Sequence, residues 1–170
     1  MEANLTNIDG KSKFKDVSIA PAHTAEHILN ATMVKMFGCP RSRNAHVERK
    51  KSKCDYILEA EPSAEQVAMV EAKVNEVVAA GLDVTIDFVS REEAAAIVDL
   101  SKLPEDASQT LRIVRIGDYD ACACIGAHVA NTRSRSSAIP SPTASGDSAG
   151  RLFSKIDYLC RPFGLVAGLK

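Results

Sequence analysis

Apolar positions along the chain fall into two helical stripes separated by alternating runs. Pro21 opens the first stripe over Ala22 to Phe37, where Ile28, Ala31, Met33, Val34 and Phe37 keep helical spacing. Gly38 and Pro40 stop it. The second stripe, Val67, Val70, Val74, Val77 and Val78, follows Ser63 and Gln66, a capping box in which each side chain satisfies the other's free backbone N–H, and Gly81 ends it. The valines lower helix propensity, so this helix depends on burial. Between the two, a strand-like stretch surrounds His46 and Val47, and a second strand alternates through Tyr56, Leu58 and Ala60. Asp83 to Val89 alternates cleanly as a strand, and Ser90 with Glu93 caps a short helix over Ala94 to Val98. After a loop at Pro104, Leu111 to Ile116 reads as a strand, Gly117-Asp118 as a turn, and Tyr119 to Cys124 as the returning strand of a hairpin.

The two ends depart from this pattern. Residues 1–17 are polar, with Lys11, Lys13 and Lys15 around Phe14, and read as a tail or an edge strand. Arg133 to Gly150 holds six serines among 18 residues and no apolar period, which predicts loop or disorder. Leu152 to Leu169 regains apolar residues and could add one or two strands. No internal repeat is present. The mixed order of elements predicts an α+β fold with two long helices on a largely antiparallel sheet.

Composition narrows the class. The chain has 170 residues, net charge −1, 45% hydrophobic and 25% charged residues. That suits one domain with a core that needs no staples, and excludes a disordered, collagenous or disulfide-knotted protein. No apolar run approaches a bilayer span, and the N-terminus lacks a signal-peptide pattern, so cytoplasm and no membrane partner are the expectation. The five cysteines are then thiols or metal ligands. Near-zero charge excludes nucleic-acid binding by bulk charge. It does not exclude a patch: Arg41, Arg43, Arg49, Lys50, Lys51 and Lys53 fall within 13 residues, and Arg112 and Arg115 could add to it. No aromatic platform for stacking bases is evident in the sequence.

The histidines carry the chemistry. His23 and His27 stand at i, i+4, which puts both imidazoles on one helix face within reach of a shared metal. Cys124 and His128 repeat the spacing in a strand-to-loop setting, with Gly126 allowing the loop to bend. Together they offer His₃Cys, a tetrahedral zinc set. Cys122, two residues before Cys124, shares its strand face and reads as a small buried side chain, an alternative ligand or a redox partner; Cys39, Cys54 and Cys160 read as core or incidental thiols. The segment is not the protease helix H-E-x-x-H: Thr24 stands where that Glu would be, and Glu26 is expected to face away as a solvated helix charge.

His23-Thr24-Ala25-Glu26-His27-Ile28-Leu29-Asn30-Ala31 resembles the opening motif of the editing domain shared by alanyl- and threonyl-tRNA synthetases, and Cys124-Ile125-Gly126-Ala127-His128-Val129 resembles its closing motif. Asp55-Tyr56, Ser90 to Ala94 and Leu103 to Glu105 fit the same pattern. In length the chain is similar to the short free-standing alanyl-tRNA editing proteins. The resemblance implies an editing domain over residues 18–132, followed by an atypical Ser/Arg/Pro-rich loop and C-terminal strand region over 133–170. It implies a zinc-dependent hydrolase that deacylates mischarged aminoacyl-tRNA, Ser- or Gly-charged alanine tRNA above all. Its ligands would be His23, His27, Cys124 and His128. Thr24 would reach the substrate, or else bond back to its own helix; Arg49 and Ser52 would flank the pocket. Ile125 and Ala127 replace the usual Gly and Thr, and Arg133 to Ser137 replaces a Gly-containing turn. These departures keep two alternatives in view: a non-catalytic zinc-stabilised module binding tRNA or protein, and a related metal-dependent ester hydrolase.

Overall fold

The structure is a computed structural model that describes residues 17–42, 44–48, 51–100, 109–134, 143–145 and 153–159. A single 3₁₀ turn (Val17–Ile19) leads into α1 (Ala20–Phe37), which has Pro21 in its first turn and no side-chain cap. It closes on Gly38, whose φ of 64° lets its N–H reach Val34 O at 2.9 Å. Every residue from Ala22 to Met33 is buried, so α1 is enclosed rather than amphipathic. β1 (Asn44–His46) and β2 (Lys51–Ile57) follow. α2 (Ala64–Ala80) has the expected reciprocal Ser63–Gln66 capping box and buries Val67, Val70, Val74 and Val77.

β3 (Val84–Ser90), α3 (Arg91–Ala95), β4 (Thr110–Ile116) and β5 (Asp120–Ala123) complete the ordered sequence up to the closing motif. β6 (Thr143–Ser145) and β7 (Phe153–Leu159) lie beyond it. All pairings are antiparallel. Among the described residues they form two sheets rather than one, ordered β1-β2-β7-β6 and β3-β4-β5. The α+β class is therefore as expected. β7 pairs with β2 along its whole length, from Phe153 opposite Ile57 to Leu159 opposite Lys51, so one C-terminal strand forms. β6 also places a short strand where serine-rich sequence predicted only loop. The expected tail or strand at 1–16, like Cys160, lies outside the described residues.

One core joins α1, α2 and the sheets: Ile28, Leu29, Met33, Tyr56, Val70, Val74 and Ile116 meet there with Cys39 and Cys54. A second, smaller core lies on the other side of the three-stranded sheet, where Ala94 of α3 packs on Leu111 and Ile113. No helix among the described residues is long and apolar enough to cross a membrane.

Candidate metal centre

α1 lies along β5, and the two present their polar residues to each other. His23, His27, Cys124 and His128 each offer a ligand atom, and these atoms all lie within 4.8 Å of one another, a group that could hold a metal ion and is compatible with zinc. The fold brings together residues about 100 positions apart through hydrogen bonds that fix each ring. His23 Nδ1 is 3.2 Å from Ala127 O; a carbonyl only accepts, so Nδ1 carries the proton and Nε2 keeps its lone pair. That Nε2 lies 3.5 Å from Cys124 Sγ.

His128 follows the same logic. Thr24 Oγ1 donates to Ala20 O at 2.9 Å, which leaves it to accept from His128 Nδ1 at 3.1 Å and Val129 N at 3.2 Å. His128 Nε2 then faces Cys124 Sγ at 3.4 Å. Thr24 thus combines the expected back-bond with an anchoring role for His128. His27 Nδ1 turns instead to Asp120, with Oδ2 at 3.3 Å, an ion-pair contact outside hydrogen-bond alignment. Asp120 is itself gripped by Arg41 through two bonds of 2.6 and 3.2 Å. His23 and His128, each with its δ nitrogen anchored and its ε nitrogen turned toward one sulfur, have the arrangement that zinc-binding histidines adopt, a ligand oriented by a partner behind it. The donor set fits the metal.

Glycine matters here by what it lacks. Gly126 is not in the left-handed region; a Cβ on it would collide with the His23 ring. The loop bends at Gly126 as expected, and the close approach of His23, not a left-handed φ, is what requires glycine there. Its N–H also donates to Cys124 Sγ at 3.4 Å. The loop beyond His128 is tied down by Asn131 and Thr132. Asn131 Nδ2 donates to Gly81 O at 2.8 Å, and Leu82 N donates to Thr132 Oγ1 at 2.8 Å.

The buried groups of the site shift one another's titration. Burial alone would raise the Cys124 thiol, but His128, His23 and His27 beside it bring it down to about 3. Burial lowers His27, yet Asp120, Cys124 and Glu26 outweigh it and raise it to about 10. His128 is held down to about 4 by burial and by its histidine neighbours, although Cys124 opposes this, so it is a neutral donor at pH 7. Asp120 would be raised by burial, but His27 and Arg41 hold it below the usual carboxylate range.

Other residues stand differently from the sequence expectation. Glu26 is 8% exposed, not solvated. A rotation of one helical step does not reach water on a helix enclosed on all sides. It accepts from Asn30 and lies with Oε2 4.0 Å from His27 Nε2. Cys122 is half-buried, and burial raises its thiol. A cavity of about 690 Å³ opens on the His27 side, with Glu26, Arg41, Tyr119, Asp120 and Cys122 among its walls. Ser52 is buried in β2, its hydroxyl spent on the backbone of Glu48 at 2.9 and 3.0 Å. Arg49, with Arg43 and Lys50 of the basic window, lies outside the described residues. Sequence reasoning missed Asp120 and Arg41 as a pair. Their signal was a carboxylate at the start of the strand that ends in Cys124.

The sequence itself agrees with this geometry. Residues 111–134, which hold β4, β5, Cys124 and His128, match the second additional domain of threonyl- and alanyl-tRNA synthetases. Alanine–tRNA ligase 1 of Lachnoclostridium phytofermentans is 30% identical over 121 residues, 71% of this chain and 14% of the ligase. The alanine–tRNA ligases of Methanococcus vannielii (31% over 138 residues, 77% of this chain, 15% of the ligase) and Hyperthermus butylicus (33% over 114 residues, 65% and 12%) agree. The chain is editing-domain-like. It is similar over most of its length to a segment of the alanine–tRNA ligases, and matches only a small part, about one seventh, of their length. For an editing-domain-like chain, the stretch that carries Cys124 and His128 is the part the domain pattern itself covers. The α1 motif lies outside it.

Proposed function

We propose that this protein is a metal-dependent aminoacyl-tRNA deacylase that removes serine, or glycine, from mischarged alanine tRNA, with zinc held by His23, His27, Cys124 and His128. The observation that carries the reading is the convergence of three histidines and Cys124, whose ligand atoms lie within 4.8 Å of one another, with the His23 and His128 rings fixed from behind by Ala127 and Thr24.

Zinc bound there supplies Lewis acidity toward an ester carbonyl and lowers the pKa of water. The chain's residues do the rest. Asp120 and Arg41 keep His27 in one orientation. Thr24 couples α1 to the closing motif by holding both His128 and the Val129 N–H. Glu26, beside His27 in the cavity wall, is a carboxylate within reach of a substrate α-ammonium group. An aminoacyl ester is reactive, so positioning and stabilisation of the tetrahedral oxyanion are sufficient demands on the site. The basic residues of the 41–53 window other than Arg41, which Asp120 engages, would meet tRNA phosphates.

The test is direct. Zinc-loaded protein is incubated with alanine tRNA charged with labelled serine, glycine or alanine, and acid-precipitable label is followed. Release from the seryl or glycyl ester with alanyl ester spared is the expected result. No release above background from folded, zinc-bound protein overturns the reading. That result would favour the non-catalytic module, in which four protein ligands close a structural site.

A further inference from the structure

The sheet that supplies Cys124 also carries a row of side chains that leads away from the metal centre. β3 and β4 pair with Phe88 opposite Arg112. β4 and β5 pair with Ile113 opposite Ala123, and the Cys124 N–H continues that ladder onto Arg112 O at 3.0 Å. Opposed residues in an antiparallel ladder share a face. Phe88, Arg112 and Cys124 therefore stand in one line across three strands, beside the rows Ile86–Val114–Cys122 and Val84–Ile116–Asp120. The opposite face is accounted for: Val89, Leu111, Ile113, Ala121 and Ala123 form the core under α3.

Among the described residues, the cover on the metal-facing side runs out toward β3. α1 lies over β5, where His27 meets Asp120 and His23 meets Cys124. Val114 and Ile116 on β4 are fully buried, but Ile86 and Phe88 on the edge strand are 44% and 60% exposed. Ile125, next to Cys124, is 73% exposed. An isolated exposed apolar side chain needs no explanation. Here an aromatic ring is in register with a ligand of the candidate metal centre, with a cation between and an aliphatic neighbour one row away. Arg112 Nη1 donates to Cys124 O at 2.6 Å, which fixes the guanidinium on that row.

The spacing suits one occupant. Strands lie about 4.8 Å apart, so Phe88 and Cys124 are separated by roughly 10 Å across two spacings. That is about the reach from an acyl ester on a ribose to the base of the same nucleotide. Aromatic faces stack any base, and an arginine beside them attracts the backbone phosphate. We propose that Phe88, with Ile86 as an apolar shoulder and Arg112 as the phosphate partner, is the stacking platform for the terminal base of the acylated RNA whose ester is presented at the metal centre. The proposal rests on the deacylase reading. No such platform is evident in the sequence, because the edge position of β3 leaves exposed a side chain that the alternating pattern alone would bury.

The chain contains no tryptophan, so the variant Phe88→Trp carries a single fluorescent reporter at the platform. Zinc-loaded variant is titrated with an alanine-tRNA acceptor minihelix ending in its single-stranded CCA, and with the same minihelix lacking the terminal adenosine. Saturable quenching by the first and not the second is expected. In parallel, Phe88→Ala should raise KM for mischarged tRNA about tenfold, more than it changes kcat, with Phe88→Tyr restoring it. Zinc content and far-UV circular dichroism confirm that all three variants fold. Deacylation by the wild type without quenching, or with wild-type KM in Phe88→Ala, overturns the platform and leaves the deacylase reading standing. Absence of both deacylation and quenching overturns both. A monomer–dimer shift on Phe88→Ala in sedimentation, with KM unchanged, assigns the face to a second copy of the chain and overturns the proposal.

Discussion

α1 and α2 are 18 and 17 residues long and pack against each other, but they draw their stability from different places. α2 is locally complete. It has a capping box, one valine stripe in the core, and an exposed opposite face that includes Met69. α1 has no side-chain cap and buries His23, Thr24, Glu26, His27, Asn30 and Thr32 along with its apolar residues. Each of those polar groups is held by a partner. Asn30 bonds Glu26 and the Ser42 N–H, Thr32 meets Tyr119 Oη at 2.8 Å, and Thr24 serves His128. A helix built this way depends on distant residues, because a buried polar group left unpaired costs about 1–3 kcal/mol. The comparison teaches that α2 holds the fold while α1 carries two of the candidate metal ligands, and that damage to each should have a different signature.

The largest effect should come from Gly126→Ala. The added methyl group has no room beside His23, and relief of the clash must move the ring or the loop. Metal affinity should fall at least about tenfold, as overpacking of this kind costs roughly 1–3 kcal/mol. Competition with a chromophoric chelator measures it; unchanged affinity would show that the loop yields without disturbing the ring. Asp120→Asn comes next. It keeps the shape but removes the charge that faces His27 and Arg41. Affinity should weaken about 10- to 100-fold, with a changed visible spectrum in the cobalt-substituted protein, which loss of general stability alone would not produce.

On the other helix, Val74→Ala should do the opposite. It removes two methyl groups from the core and should cost about 2 kcal/mol in denaturant unfolding. Metal affinity should be unchanged. If it falls with stability, the two helices are not separable in the way described here.

The smallest effect concerns pH. The Ser90 backbone N–H and hydroxyl hold Glu93 below its ordinary value of 4.5. A depressed folded pKa means the cap's contribution is complete above the unfolded value and is lost as pH falls through the folded one. Stability between pH 5 and 3 should therefore drop slightly less in Glu93→Gln than in the parent, as followed by thermal unfolding. An equal or steeper drop in the variant would remove the cap from the account.

What was legible in the sequence follows the same division. Both capping boxes, the glycine stops at 38 and 81, and the β3 to β5 run are set by neighbours a few residues apart, and they appear where expected. The pairs at i, i+4 also placed His23 with His27 and Cys124 with His128, and the fold brings all four together. Features set by distant partners were not legible. Nothing local links Asp120 to Arg41, 79 residues earlier. Nothing local says that α1 is enclosed, so Glu26 was expected in solvent. The exposure of Phe88 depends on which strand ends the sheet, and the split into two sheets depends on β7 choosing β2.

The central claim is that the convergence of α1 and the Cys124 loop is a metal centre, and zinc analysis tests it most directly. Wild-type protein and the single variants His23→Ala, His27→Ala, Cys124→Ala and His128→Ala are purified without chelator and measured for zinc per folded chain. The account predicts about one zinc in the wild type, as four such ligands bind, and marked loss in every variant. Folded variants that keep the wild-type zinc content would contradict it.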